Sequence, residues 1–356
     1  MVKRARANPT ARGGATALAA VAAAVLLAGP WSAVAAGASP SGPDLALADF
    51  ESQEFIGASL ALGGNLILGR GASLTLSATS LNLTGQGRSV VLGPMATLTL
   101  LNGSRLSGAS GFDVRLETGS RLVADRSVID GAATFAVRDG RVTLNLSTVG
   151  DGGPLTLLGA SGLVAANSSF LNLLPVALDL RDNSSAEVRG LAAPTYALAP
   201  SSRLVLATYT SVEVRDASGK VLAAADWAVE SNGAVLAATP SFGGAAQTTR
   251  VNHRGYAEPQ WVAVPRLIDE GGFVTRPSAR ALASYGSWTG AAAVDTSAVT
   301  TALFEQHPRA LLSRTPRPLR ASTRGAAGWL ATRPFRRGRG RPGRTSTGTG
   351  RSTSLS

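Results

Sequence analysis

The 356-residue chain contains no cysteine and two histidines, His253 and His307. Disulfides and Cys-ligated zinc are thereby excluded, and so is a histidine-rich metal site. Aromatic residues are scarce, at 5%. After the N-terminal segment there is no run of 18 uninterrupted apolar residues, so the body is not polytopic. Acidic residues are missing from both ends. Residues 1–12 hold Lys3, Arg4, Arg6 and Arg12 with no Asp or Glu, and residues 306–356 hold twelve arginines with none. The body between them has 18 basic residues against all 22 acidic ones, so the overall charge of +12 belongs to the termini. A basic stripe for nucleic acid is not a property of the body.

The N-terminus reads as an address. A basic start is followed by an apolar run from Ala15 to Gly29 and then by small residues, with Ala33-Val34-Ala35 as an A-x-A site. This is the pattern of a secretory signal peptide, residues 1–36, with cleavage after Ala35 or Ala36. The alternative is an uncleaved anchor, although the run is short for a span of about 20 residues.

From Leu60 onward short alternating runs recur: "LILG", "SLTLS", "LNLTG", "ATLTLL", "FDVRL", "VTLNLS", "PLTLL", "VALDLRD". Apolar residues at every second position, with Gly, Asn, Asp and Ser between runs, predict strands with one buried face joined by turns. The runs repeat on a longer scale. Leu74, Leu98 and Leu122 are spaced 24 apart, and Ser127, Ser147 and Ser168 are spaced 20 and 21 apart. A unit of 20 to 24 residues with two or three short strands cannot bury its own apolar side and must stack on its neighbours. Six or seven such coils fit between residues 55 and 200, with "LADFESQEFIGASL" as a candidate N-terminal cap.

The G-x-x-L-x-L…S-x-h pattern, over roughly 150 residues, resembles right-handed parallel β-helix proteins of the pectate-lyase-like superfamily, in their plain surface-protein branch. After Pro200 the texture changes. "SRLVLATYTSVEVRDASGKVLAAADWAVESNGAVLAA" reads as strand, Ser-Gly turn, strand, Asn-Gly turn, strand, and Asn232-Gly233 is a type I′ hairpin signal. "VEVRDASGKVLAAADWAVESNGAVLAA" resembles carboxypeptidase-regulatory-like or Ig-like modules, departing from them at Lys220-Val221-Leu222-Ala223. Such a resemblance implies a spacer or adhesive domain and brings no catalytic residues. The expected architecture is therefore all-β: signal peptide 1–36, right-handed parallel β-helix 50–203, small antiparallel β-sandwich 204–305, and a disordered Arg-rich tail 306–356. The tail reads as a nucleic-acid or acidic-polymer arm, as a basic tether, or as an out-of-frame, non-native extension.

Chemistry is thinly marked. Carbohydrate-cleaving enzymes place two carboxylates across one bond. The acids of the repeat region, Asp113, Glu117, Asp125, Asp130, Asp139, Asp151, Asp179, Asp182 and Glu187, mostly sit beside Gly, Asn or Arg at turns. "DLRDNSS" (Asp179, Asp182, Asn183) is the nearest approach to a Ca²⁺ loop, and it reads as a turn. His253, in "NHRGY", has no partner string for Ser-His-Asp catalysis. Trp227, Trp261 and Trp288 read as sandwich core. No catalytic, cofactor-binding or metal residue is expected. N-x-S/T sequons stand at Asn82, Asn102, Asn145, Asn167 and Asn183, all in the repeat region, and mark possible N-glycosylation sites. Together these features imply a non-catalytic, secreted or cell-surface structural or adhesion protein. Its partners would be envelope components or polysaccharide, with no nucleic acid, and with membrane contact only through an uncleaved signal. The alternative is a β-helix polysaccharide lyase or glycoside hydrolase.

Overall fold

In a computed structural model the chain is described at residues 44–190, 193–246, 250–251, 257–258, 260–305 and 322–325. The signal segment 1–36, His253 and His307 lie outside the described residues. The chain from Leu45 winds into a parallel β-solenoid of about eight coils with three faces. Face one is a ladder of eight strands: Ser52–Ile56, Ser73–Ser77, Thr97–Leu101, Arg121–Asp125, Arg141–Asn145, Gly162–Ala166, Ser185–Arg189 and the first part of Arg203–Arg215. Face two runs from Leu45–Leu47 to Tyr196–Leu198, and face three from Ser59–Leu62 to Ser169–Leu173. Two long strands, Arg105–Leu116 and Val128–Arg138, bend from face three into face two.

The leucine spacing in the sequence is the coil register. Leu74 pairs with Leu98, and Leu98 with Leu122. The step then shortens, and Leu122 pairs with Val142. Leu74, Leu98 and Leu122 are fully buried, in one apolar core that runs from Leu47 to Leu206. Each such leucine contributes about 1.5–3 kcal/mol by leaving water. The first coil begins earlier than the apolar alternation does. Gln53 stands in register with Leu74, so "SQEFI" lacks a leucine pattern but still forms a strand. The segment expected to be a cap is thus a coil of its own.

One corner is turned by residues with positive φ: Ala78, Asn102, Arg126, Leu146 and Asn167, at φ 48–56°. Just after them runs a column of buried hydroxyls, Thr79, Ser104, Ser127, Ser147 and Ser168. The Thr79 amide donates to Ser104 Oγ, Ser127 to Ser147 Oγ and Ser147 to Ser168 Oγ, at 3.1–3.2 Å. The hydroxyls donate in turn to backbone carbonyls, as Ser147 does to Ala124 at 3.0 Å. Backbone groups at the bend are thereby satisfied inside an apolar bore. The 20- and 21-residue serine spacing is this ladder.

The strand Arg203–Arg215 crosses the expected domain junction. Arg203 to Ala207 pair with Ser185–Arg189 of the last full coil, and Thr210 to Arg215 pair with Thr300–Glu305. Val262–Glu270 runs antiparallel along it and closes the C-terminal edge of face one. A four-stranded antiparallel sheet, in the order Ala234–Ala238, Asp226–Ser231, Ala279–Tyr285, Trp288–Ala293, shares a second core with this extension. That core holds Val212, Val214, Trp227, Val229, Val264 and Phe304. Asn232 and Gly233 have φ 48° and 80°, the positive values of a type I′ hairpin, between Asp226–Ser231 and Ala234–Ala238. Trp227 is buried, and Trp288 meets Phe304 edge to face at 6.0 Å. Trp261 departs from the expectation: it lies just before the strand Val262–Glu270 and is 45% exposed. Within the expected tail, Ser322–Gly325 pairs antiparallel with Thr300–Glu305, and the rest of 306–356 lies outside the described residues.

Candidate ligand-binding face

Strand alternation sends every second side chain of face one outward, and parallel register stacks these into ranks. One rank reads Ser73, Thr97, Arg121, Arg141. The next reads Thr75, Thr99, Val123, Thr143, Val164. Stacked neighbours are about 4.8 Å apart. The result is an in-register face of hydroxyls and β-branched methyls with charge at its margins.

The carboxylates singled out from the sequence are scattered over all three faces and the turns between them, most of them bonded to an adjacent coil. Asp113 accepts the Thr134 hydroxyl at 2.6 Å and faces Arg115 at 3.3 Å. Asp125 accepts Asn145 Nδ2 at 2.6 Å, and Asp130 pairs with Arg105 at 2.5 Å. Asp139 accepts the Ala160 amide and Asp182 the Gly159 amide, at 2.8 and 3.0 Å. Asp151 accepts Asn172 Nδ2 at 2.7 Å. Asp179 pairs with Arg181 and Glu187 with Arg189, each at 2.7 Å. The hydrogen bond from each arginine raises its affinity for a proton above the ordinary guanidinium value. Glu117 is exposed on the turn before Arg121. Asp179, Asp182 and Asn183 do not converge, because Asp179 turns to Arg181 and Asp182 to the Gly159 amide. Among the described residues no three His, Cys, Asp or Glu side chains are grouped so as to hold a metal ion.

The sequons are spread over the outer surface. Asn102, Asn145, Asn167 and Asn183 are exposed, while Asn82 is half-buried. Asn102 Nδ2 donates to Ser77 Oγ at 3.0 Å. In Asn102-Gly103-Ser104 and Asn145-Leu146-Ser147 the third residue is a buried ladder serine. Asn102 and Asn167 also occupy positive-φ corners, where Asn is well tolerated. The fold therefore has its own reason to write N-x-S at these places.

Arginine pairing is what sequence reading missed. Arg105, Arg115, Arg181, Arg189 and Arg203 each have a carboxylate partner. Arg121, Arg138 and Arg141 form no ion pair among the described residues, and all three are exposed. Arg121 and Arg141 stand directly opposite each other in the ladder, and Arg138 precedes the turn that leads into Arg141. The 20-residue spacing of "SRLVAD" and "GRVTLN" carried that signal. Compared with known proteins, the chain matches no family model, no curated protein and no solved structure.

Proposed function

We propose that this protein is a non-catalytic surface scaffold, exported by its N-terminal segment, that presents face one of the solenoid to envelope glycans or partner proteins. The observation that carries the reading is the arrangement of face one: in-register ranks of Ser, Thr and Val with carboxylates tied one by one to neighbouring coils. Such a face offers many repeated weak contacts to an extended ligand. The pectate-lyase-like resemblance of the repeat and the Ig-like or carboxypeptidase-regulatory-like resemblance of the second unit support a display role. On this reading Asn102, Asn145, Asn167 and Asn183 are the sequons most open to a glycan. The test incubates the full chain with a panel of envelope polysaccharides and reads both retention and polymer length. Retention with unchanged polymer length supports the scaffold. Shortening of any polymer overturns it in favour of a lyase or hydrolase.

A further inference from the structure

The chain contains two Asn-Gly steps, Asn102-Gly103 and Asn232-Gly233. Both are exposed, and both turn the chain at positive φ, with Asn at 56° and 48° and Gly at 82° and 80°. A glycine has no side chain to shield its amide, so that nitrogen is open to the side-chain carbonyl of the asparagine before it. The two steps differ in what holds their reacting groups. The Gly103 amide donates to Arg126 O at 2.9 Å, within the coil-to-coil ladder, and Asn102 Nδ2 donates to Ser77 Oγ at 3.0 Å. There both the attacking and the leaving nitrogen are tied down. At the hairpin tip the Gly233 amide makes no hydrogen bond among the described residues, and a Cβ at this glycine would meet nothing within 4 Å. Asn232 is held by its oxygen instead. Its Oδ1 accepts the Ser278 amide at 3.0 Å and the Ser278 hydroxyl at 3.3 Å. Its backbone amide donates to Ser278 O at 2.9 Å.

We infer that Asn232 is a modification site: it loses its amide through a cyclic imide and becomes aspartate or isoaspartate, while the fold spares Asn102. The Gly233 nitrogen gives its proton to solvent, and its lone pair forms a bond to Asn232 Cγ. Negative charge develops on Oδ1, where two donors already stand, as in an oxyanion hole. The Cγ–Nδ2 bond then breaks, and Nδ2 leaves as ammonia with a proton taken from water. Water opens the imide. Attack at Cγ restores the ordinary chain as aspartate, and attack at the main-chain carbonyl leaves the chain running through Cβ and Cγ as isoaspartate. Nothing is oxidised or reduced; one water enters and one ammonia leaves. Isoaspartate lengthens a two-residue loop whose register sets Ser231 opposite Ala234 and Glu230 opposite Val235. The strand Ala234–Ala238 lies at the edge of its sheet, with Val235 and Leu236 exposed, and is the element that loosens as the protein ages.

The experiment incubates the folded full chain in mildly alkaline buffer, with a parallel sample unfolded in guanidinium chloride. Tryptic peptides 89–105 and 221–250 are followed by mass spectrometry, and each contains a single asparagine, Asn102 or Asn232. Enzymatic carboxyl methylation identifies isoaspartate in either peptide. The expected result is conversion at Asn232 about tenfold or more faster than at Asn102 in the folded sample, with comparable rates at the two sites in the unfolded one. Ser278→Ala removes one of the two donors and is expected to slow conversion at Asn232 several-fold. Equal rates at the two asparagines in the folded chain, or conversion confined to the unfolded one, would overturn the proposal. A rate in Ser278→Ala equal to or above that of the parent would overturn the part assigned to the Ser278 donors.

Discussion

Leu146 is a leucine in a left-handed bend, at φ 49° and half exposed, in a column whose other members include Asn102 and Asn167. An L-residue with a Cβ costs roughly 1–2 kcal/mol there, and Asn less. Leu146→Asn is expected to raise stability by about 0.5–1 kcal/mol in chemical denaturation, and a clear loss would contradict the strain argument. Its neighbour Ser147 works in the opposite sense. Ser147→Ala leaves the buried Ser127 amide without its acceptor and is expected to cost about 1–3 kcal/mol. Gly131, at φ 84°, has Gly108 O 2.6 Å from where a Cβ would stand, so Gly131→Ala should be at least as damaging, read by the same denaturation curves. The serine column and the glycine turns were legible as repeats. The cause of the sequons was not, because a surface motif and a ladder serine look alike until the bend shows which hydroxyl is buried.

At the scale of elements, the strand Val262–Glu270 decides where the solenoid stops. It lies along Arg203–Thr210, and its Asp269 is buried, accepting the Tyr196 hydroxyl at 3.1 Å and the Gly272 amide at 2.9 Å. Tyr196 belongs to the last strand of face two, so this bond ties the cap to the coil it closes. Burial, and then the bond to Asp269, raise the Tyr196 hydroxyl above the ordinary tyrosine value. The folded state therefore holds this proton more tightly than the unfolded one. Its contribution is complete below about pH 10 and is lost as pH rises through the folded value. Tyr196→Phe is expected to cost about 1 kcal/mol at neutral pH and to flatten the alkaline limb of the stability profile. An unchanged limb would show that the latch is not formed. Two turns on the sandwich act at the other end of the scale. The Ser218 hydroxyl and the Lys220 amide hold the Asp216 carboxyl below the ordinary aspartate value, and the Ser297 hydroxyl and amide do the same for Asp295. Both contributions are present above the unfolded aspartate value near pH 4 and fade as pH falls through the lower folded values. NMR titration should find both carboxyls titrating below the ordinary aspartate value. The cap was hidden from sequence reading because one continuous strand, Arg203–Arg215, serves both cores: Leu206 faces the first, Val212 faces the second, and Thr208 and Thr210 lie buried between them.

For the whole molecule, the period of the sequence carried the architecture, and departures from the period hid its ends. Coils with Leu at the inward positions, such as "SLTLS" and "TLTLL", were plain. The first coil, with Gln53 at that position, was not, and the last was merged with the strand that leaves it. The arginine pair was hidden for a related reason. Arg121 and Arg141 are 20 residues apart and become neighbours only when the coil length at that place is known, and that length changes from 24 to 20 at this very step. Because the chain has no cysteine, this register can be probed directly by pyrene labelling. Arg121→Cys/Arg141→Cys places two labels on adjacent strands of face one, whereas Arg121→Cys/Asp130→Cys places them nine residues apart on different faces. The account predicts excimer emission from the first pair and monomer emission from the second. Monomer emission from the first pair, or excimer from the second alone, would contradict the solenoid register.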